Sequence, residues 1–287
     1  MKPTYLTQKA INHFIALALK EDIGDGDHSS LASIPESAKS KAQLLIKGDG
    51  IIAGVEMAEH IFKAVDPDLS ITKQMIQDGD QVTEGAVGFI VAGSARSILT
   101  SERLVLNCMQ RMSGIATYTH ELTQLIKSTN AKLLDTRKTT PNFRLMEKWA
   151  VAIGGGTNHR FGLYDMIMLK DNHVDFCGGI TKAVNKTKAY LTNNNLDLKI
   201  EVETRNLEEV KEALECGGID VIMLDNMMPS VMRQAVEMIA GKCQTEASGG
   251  ITESTIAEVA ECGVDFISVG ALTHSIRSMD ISLKAIK

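Results

Sequence analysis

From residue 131 onward the chain repeats one kind of unit, and this limits what it can fold into. Short apolar runs occur at KLLDTRK (132–138), DMIMLKDNH (165–173), LKIEVET (198–204), DVIMLDN (220–226), QTEASGG (244–250) and DFISVGAL (265–272). Helix-like stretches separate most of them. NLEEVKEALECGG carries Leu207, Val210 and Leu214 at helical spacing, with Gly217 as a stop. TESTIAEVAECG offers Thr252 as an N-cap and Gly263 as its close. TTPNFRLMEKWAVAIGGG has Pro141 near its first turn and a stripe of Leu145, Met146, Trp149 and Ile153. Strand, helix, strand in succession means parallel βα units. Near-continuous apolar strands fit a sheet covered on both faces.

The polar residues fall at the ends of these strands. Arg137 and Lys138 follow the first run, Lys170 the second, Glu201 and Glu203 lie in the third, Asp225 ends the fourth, and Glu246 and Ser248 lie in the fifth. In a parallel βα barrel the C-terminal strand ends share one face, and that face carries the chemistry. One acid at a strand end is as often the N-cap of the next helix as a catalyst; a succession of strands with the same habit points to a cleft.

Charge sharpens this. Residues 131–170 hold seven Lys and Arg against three acids, a local +4 in a chain of net −6, which leaves −10 elsewhere. A basic island in an acidic chain suits a small anionic ligand. The overall charge disfavours nucleic acid or an anionic membrane as partner. FIALAL (14–19) is too short to span a membrane and reads as part of an amphipathic helix. The five cysteines are scattered, with no C-x-x-C spacing, so neither a disulfide framework nor a thiolate zinc site is expected, and a reducing cytoplasm is.

Residues 1 to about 112 differ in texture. Glycine-rich β-like runs at 42–55, 69–82 and 85–99 alternate with helix-like stretches at 8–21, 56–64 and 101–126. This reads as a separate α+β domain, with 101–126 as the junction.

Two loops suggest phosphate. EASGGIT sets Ser248, Gly249 and Gly250 just ahead of an expected helix start, and SVGALTHS offers Gly270 and Ala271 one unit later. Glycines let backbone N–H groups approach an anion, and a helix N-terminus favours negative charge. Paired loops on the last barrel strands form a common phosphate site. No G-x-x-x-x-G-K-[ST] is present, GGGTNHR (154–160) is not a dinucleotide fingerprint, and neither H-E-x-x-H nor a G-x-S-x-G elbow occurs. Glu201 and Asp225 are hard oxygen ligands on adjacent units, a set suited to Mg²⁺ held largely by water and substrate phosphates.

LLDTRKTTPNFRLMEKWAVAIGGGTNHRFGLYDMIMLKDNH (133–173) resembles the core signature of the quinolinate phosphoribosyltransferase family. EDIGDGD (21–27), SERLVLN (101–107), IEVET (200–204), IMLDNM (222–227), EASGGI (246–251) and ISVGALTHS (267–275) match further family landmarks in order. Asn142 stands where glycine is expected, Trp149 where tyrosine is expected, and His28 departs within the N-terminal motif; no charged site residue is lost.

The resemblance implies an α/β protein: an N-terminal α/β sandwich domain (1–112) plus an open, incomplete TIM-like βα barrel (113–273), with 274–287 returning to the first domain. It implies transfer of phosphoribosyl from 5-phosphoribosyl-1-pyrophosphate to quinolinate with Mg²⁺, release of pyrophosphate and CO₂, and nicotinate mononucleotide as product. It implies a homodimer in which Arg103 completes the partner's site. Arg137, Lys138, His159, Arg160 and Lys170 are then expected on the substrates. Lys138, Lys170, Glu201 and Asp225 form the expected catalytic set, with Glu201 and Asp225 also holding the metal. Ser248, Gly249, Gly250, Gly270 and Ala271 are expected on the 5-phosphate. Two alternatives stay open: a related transferase using nicotinate or another ring acid without decarboxylation, and a catalytically silent phosphate-ligand binder on the same scaffold. Retention of Lys138, Lys170, Glu201 and Asp225 together argues against the silent binder. A guanidinium that holds a carboxylate through parallel hydrogen bonds sets the first test. Arg137→Ala should weaken quinolinate handling by roughly 1.5–3 kcal/mol, read as kcat/KM for quinolinate; an unchanged value removes Arg137 from the site.

Overall fold

The computed structural model describes residues 3–286. In chain order its elements are α1 (Gln8–Ile23), α2 (His28–Ser33), β1 (Lys39–Ile46), β2 (Gly50–Ile51), α3 (Val55–Val65), β3 (Ser70–Gln74), β4 (Gln81–Val82), β5 (Val87–Ser94), α4 (Ala95–Ile126), β6 (Lys132–Leu134), α5 (Arg144–Ile153), β7 (Ile167–Leu169), α6 (Asp171–Cys177), α7 (Ile180–Asn194), β8 (Ile200–Thr204), α8 (Leu207–Cys216), β9 (Val221–Asp225), α9 (Pro229–Ile239), β10 (Gln244–Ser248), α10 (Ile256–Ala260), β11 (Phe266–Ser268), α11 (Ala271–His274) and β12 (Ile281–Ile286). No helix among the described residues is long and apolar enough to cross a membrane.

The chain separates into two units. One gathers the residues up to His120, Thr139–Gly155 and everything from Ala271 on; the other comprises Glu121–Lys138 and Gly156–Gly270. The segment around α5, expected in the barrel, therefore groups with the N-terminal residues.

The first unit is built on an antiparallel sheet of order β12-β1-β5-β3. Its central strand β1 alternates exposed and buried residues, with Ala42, Leu44 and Ile46 in the core. That period of two is the mark of a strand with one face covered. Met57, Ala58, Ile61 and Phe62 line the buried face of α3, and Phe62 meets Phe89 of β5 edge to face. Helix α4 starts at Ala95, six residues ahead of the sequence expectation, because VAGS ends β5 and ARSIL continues straight into helix.

Two details explain local sequence. Asn142 adopts a left-handed φ of 62°, a conformation asparagine tolerates better than other side chains, which accounts for its standing at a glycine position. Glu147 of α5 is fully buried, and its carboxylate binds two partners. Oε1 accepts from Arg111 Nε at 2.7 Å, and Oε2 accepts from the Thr140 N–H at 2.9 Å. The same guanidinium donates to the Thr273 carbonyl at 2.7 Å. One ion pair, buried on the Glu147 side and half-buried on the Arg111 side, thus ties α4, the turn before α5 and the end of α11.

The second unit is a parallel six-stranded sheet of order β6-β11-β10-β9-β8-β7. All six apolar runs became its strands, and it stays open, with β6 and β7 as its edges. Helix α8 packs on β8 and α9 on β10, and Asn206 caps α8 by accepting from the Glu209 N–H, as Ser, Thr, Asn and Asp do at this position.

Removing Glu147 takes away the charged partner of Arg111 and the acceptor of the Thr140 N–H, although Arg111 is partly exposed and keeps its bond to Thr273. Glu147→Ala should therefore cost roughly 1.5–3 kcal/mol of stability, the range for hydrogen bonds to charged groups. The urea unfolding midpoint checks this; a midpoint equal to the parent's would mean that the Arg111 contact is not an anchor.

Candidate functional site

Strand register decides which side chains meet. Glu201 of β8 pairs with Val221 of β9, and Glu203 pairs with Met223. Met223 pairs in turn with Glu246 of β10, and Asp225 with Ser248. Residues two apart on a strand share a face. Glu201, Glu203, Met223, Asp225, Glu246 and Ser248 therefore project from the same side of the sheet.

Glu201 and Glu246 are almost fully buried, at 0% and 1% exposure. His159 reaches both, with Nε2 at 3.0 Å from Glu201 Oε2 and 3.3 Å from Glu246 Oε2. Its other nitrogen is also engaged: Nδ1 accepts the Arg160 N–H at 2.7 Å. The segment carrying His159 is strapped to β6. Thr157 bridges Leu134, and Asp135, fully buried, accepts from Asn158 Nδ2 at 2.6 Å and from the His159 N–H at 2.9 Å.

Protons follow from this crowding. Burial pushes the Glu201 carboxyl up to about 7, with the Glu246 charge adding and His159 opposing. Burial pulls the His159 imidazole down, while the neighbouring Glu201 and Glu246 carboxylates push it the other way. The Arg160 N–H needs a lone pair on Nδ1, so the geometry favours a neutral ring with its hydrogen on Nε2. The extra proton then belongs to the carboxylate pair.

Nearer the strand ends the arrangement changes. Burial raises the Glu203 carboxyl above its ordinary value, the Asp225 charge adds to this, and Lys170 opposes it. Glu203, Asp225 and Lys170 are therefore close enough to act on one another. Lys170 is exposed and leads into α6, its N–H donating to His173 Nδ1 at 3.1 Å. Burial and the neighbouring Arg137 guanidinium pull Arg160 below its ordinary range, with Glu201 and Asp165 opposing. Arg160 is oriented by bonds to the Met166 carbonyl at 3.2 Å and Met168 Sδ at 3.4 Å. The two guanidiniums are near enough to repel each other, and an anion between them would relieve that repulsion.

The glycine loops are in place with one change. Gly249 and Gly250 have left-handed φ values of 96° and 61°. A Cβ on Gly249 would collide with the side chain of Asn226 and come within 2.8 Å of its backbone nitrogen, so only glycine fits. The helix expected from Thr252 begins at Ile256 and is five residues long, with a turn from Thr252 ahead of it. Dipole support at Ser248 is correspondingly weaker than the sequence implies, and the backbone N–H groups of the turn carry more of the role. Gly270 follows β11 and Ala271 opens α11.

Two expectations need correction. Glu201 was expected beside Asp225 as a metal ligand, but it lies four residues deeper along the paired strands, about 13 Å at strand rise. Glu203 is the neighbour of Asp225. His159 was expected on the substrate, yet both ring nitrogens are engaged within the protein. Arg137 is half-buried, Lys138 exposed, and Arg103 exposed on α4. Glu246 was visible in the sequence without a role; it shares Ser248's face at a spacing of two, and that spacing was the available signal.

Fold and site together define an open α/β barrel protein built to hold small polyanions. The profile described as quinolinate phosphoribosyl transferase, N-terminal domain, matches residues 27–113, and that of the C-terminal domain matches residues 115–284. A rice protein called nicotinate-nucleotide pyrophosphorylase [carboxylating], chloroplastic (Oryza sativa subsp. japonica), is 48% identical over 98% of this chain and 78% of its own length. A Bacillus subtilis protein called probable nicotinate-nucleotide pyrophosphorylase [carboxylating] is 41% identical over 96% of this chain and 92% of its own. The crystal structure of NadC from Streptococcus pyogenes superposes with a TM-score of 0.92 at 39% identity, covering 99% of this chain and 100% of that one. The chain belongs to the quinolinate phosphoribosyltransferase family.

The deep cluster makes a pH prediction. The Glu201 carboxyl keeps its proton to about pH 7 in the folded state against an ordinary 4.5. Its stabilising contribution is complete below the ordinary value and is lost as pH rises through the folded one. Stability of the parent should fall between about pH 5 and 8, and Glu201→Gln should flatten that fall. Denaturant titrations across this range check it; equal slopes for parent and variant would contradict the assignment.

Proposed function

We propose that this chain transfers the phosphoribosyl group of 5-phosphoribosyl-1-pyrophosphate to quinolinate, with loss of CO₂, giving nicotinate mononucleotide and pyrophosphate. The observation that carries the reading is the Arg137–Arg160 pair, two cations crowded together at the strand ends. Quinolinate has two adjacent carboxylates, and each guanidinium can hold one through parallel hydrogen bonds. A monocarboxylate such as nicotinate would leave one of these charges unmatched.

The other groups fall into roles around that pair. Lys138 and Lys170, both exposed, meet the anionic substrates. Ser248, Gly249, Gly250, Gly270 and Ala271 form the cradle for the 5-phosphate. Glu203 and Asp225 suit a divalent cation, because burial and the Asp225 charge both disfavour the Glu203 carboxylate and a cation between the two acids relieves that repulsion. We place Mg²⁺ there, rather than at Glu201. Bound there, Mg²⁺ offsets negative charge on the departing pyrophosphate.

The residues of the chain then act by position and charge. Arg137 and Arg160 orient quinolinate so that its ring nitrogen faces the ribosyl C1. The lysines stabilise the pyrophosphate as it leaves. The ring nitrogen becomes a pyridinium, whose positive charge stabilises the electron pair left when the adjacent carboxylate departs as CO₂. Lys138 or a water supplies the proton to that carbon. No covalent enzyme intermediate is required.

The same reading includes a homodimer in which Arg103, exposed on α4, is supplied to the partner's site. It includes a cytoplasmic location, supported by five cysteines that are all free. Quinolinate, 5-phosphoribosyl-1-pyrophosphate and Mg²⁺ should release pyrophosphate and CO₂ in equal amounts, with the signal lost on EDTA. Pyrophosphate from nicotinate, and none from quinolinate, would move the protein to a non-decarboxylating class. No turnover with either ring acid would favour the silent binder.

A further inference from the structure

Glu246 has no part in the chemistry above, yet it is nearly fully buried in a strand. Its Oε1 is buried without a hydrogen-bond partner, and so are both carboxylate oxygens of Glu201, whose Oε2 meets His159 Nε2 at 3.0 Å as a charge contact only. A buried carboxylate is costly, and an apolar residue of the same volume would fill the space without that cost. The position therefore asks for a reason other than stability.

The contacts supply one. Glu246 Oε2 and Glu201 Oε2 converge on His159 Nε2. His159 Nδ1 holds the Arg160 N–H, and Asp135 holds the His159 N–H. The imidazole is clamped between a carboxylate pair on one side and the peptide of Arg160 on the other. His159, Glu201 and Glu246 also have the spacing of a metal site. That reading fails on chemistry: with the Nδ1 lone pair given to an N–H, Nε2 carries hydrogen and has none to offer a cation. What the cluster does hold is the backbone that aims Arg160.

We propose that Glu246 is a positioning residue for quinolinate, acting through His159 to fix the Arg160 guanidinium beside Arg137. The proposal rests on the transferase reading. It predicts a selective effect, because only the ring acid depends on Arg160, whereas 5-phosphoribosyl-1-pyrophosphate is held by other residues.

The test compares the full-length parent with Glu246→Ala and Glu246→Gln, measuring kcat, both KM values, quinolinate binding by calorimetry and the thermal midpoint. E246A should raise the KM and Kd for quinolinate about tenfold or more, as a displaced clamp does, and leave the KM for 5-phosphoribosyl-1-pyrophosphate within about twofold. E246Q should restore quinolinate binding, since its carboxamide oxygen accepts from Nε2–H and its NH₂ can donate to Glu201. Should E246A fail to fold, Glu246→Met, which fills the same volume, makes the same comparison. Equal rises in both KM values, an unchanged quinolinate KM, or an E246Q as impaired as E246A would overturn the proposal. A parent that neither binds nor converts quinolinate would overturn the transferase reading and this inference together; a fully active parent with any of the contrary variant results overturns this inference alone.

Discussion

Everything in the barrel unit depends on six strands running parallel. Parallel pairing places all C-terminal ends on one edge, so residues more than a hundred positions apart in sequence converge there. The same register fixes depth. Along β8, a single residue separates a glutamate that is buried with His159 from one that faces Asp225 and Lys170. A shift of one residue would turn both glutamates to the opposite face of the sheet.

The site therefore has two tiers with different tasks. The deep tier of Glu201, Glu246 and His159 is closed upon itself and shapes the Asn158–Arg160 segment. The outer tier of Arg137, Arg160, Lys170, Glu203 and Asp225 sets cations and carboxylates close enough to act on one another. Such mutual strain is the expected condition of a site that waits for a polyanion and a cation. Glycines 249 and 250 add backbone donors, the first where a side chain could not fit and the second in a left-handed conformation that side chains rarely adopt. Fixed charges of this kind do not have to reorganise when the reaction occurs, which is where preorganised electrostatics gains its effect.

Much of this was legible in the sequence. The apolar runs gave the six strands, and their polar ends gave the reactive edge, because periodicity and burial are local properties. The motif around Arg137, Lys138 and Arg160 placed the cationic pair. Depth was not legible. Glu201 and Glu203 look equivalent in IEVET, and only pairing with β9 and β10 reveals that the first reaches His159 and the second Asp225. The early start of α4, the shortened α10 and the grouping of α5 with the N-terminal residues were missed for a related reason. The last is set by contacts distant in sequence, such as the Arg111–Glu147 pair, which leave no periodic trace, whereas the first two are set by local backbone and Thr252–Thr255 turn bonds that hydrophobic periodicity does not report.

The division into tiers is the central claim, and a heavy divalent cation tests it most directly. Crystals grown with Mn²⁺ and a non-reactive analogue of 5-phosphoribosyl-1-pyrophosphate would locate the ion by its anomalous scattering. The account predicts one peak within coordination distance of Glu203 and Asp225, or joined to them by a single water, with His159 still bonded to Glu201 and Glu246. A peak ligated by Glu201, Glu246 and His159 would contradict it, since the deep cluster would then be the metal site and not the support for Arg160.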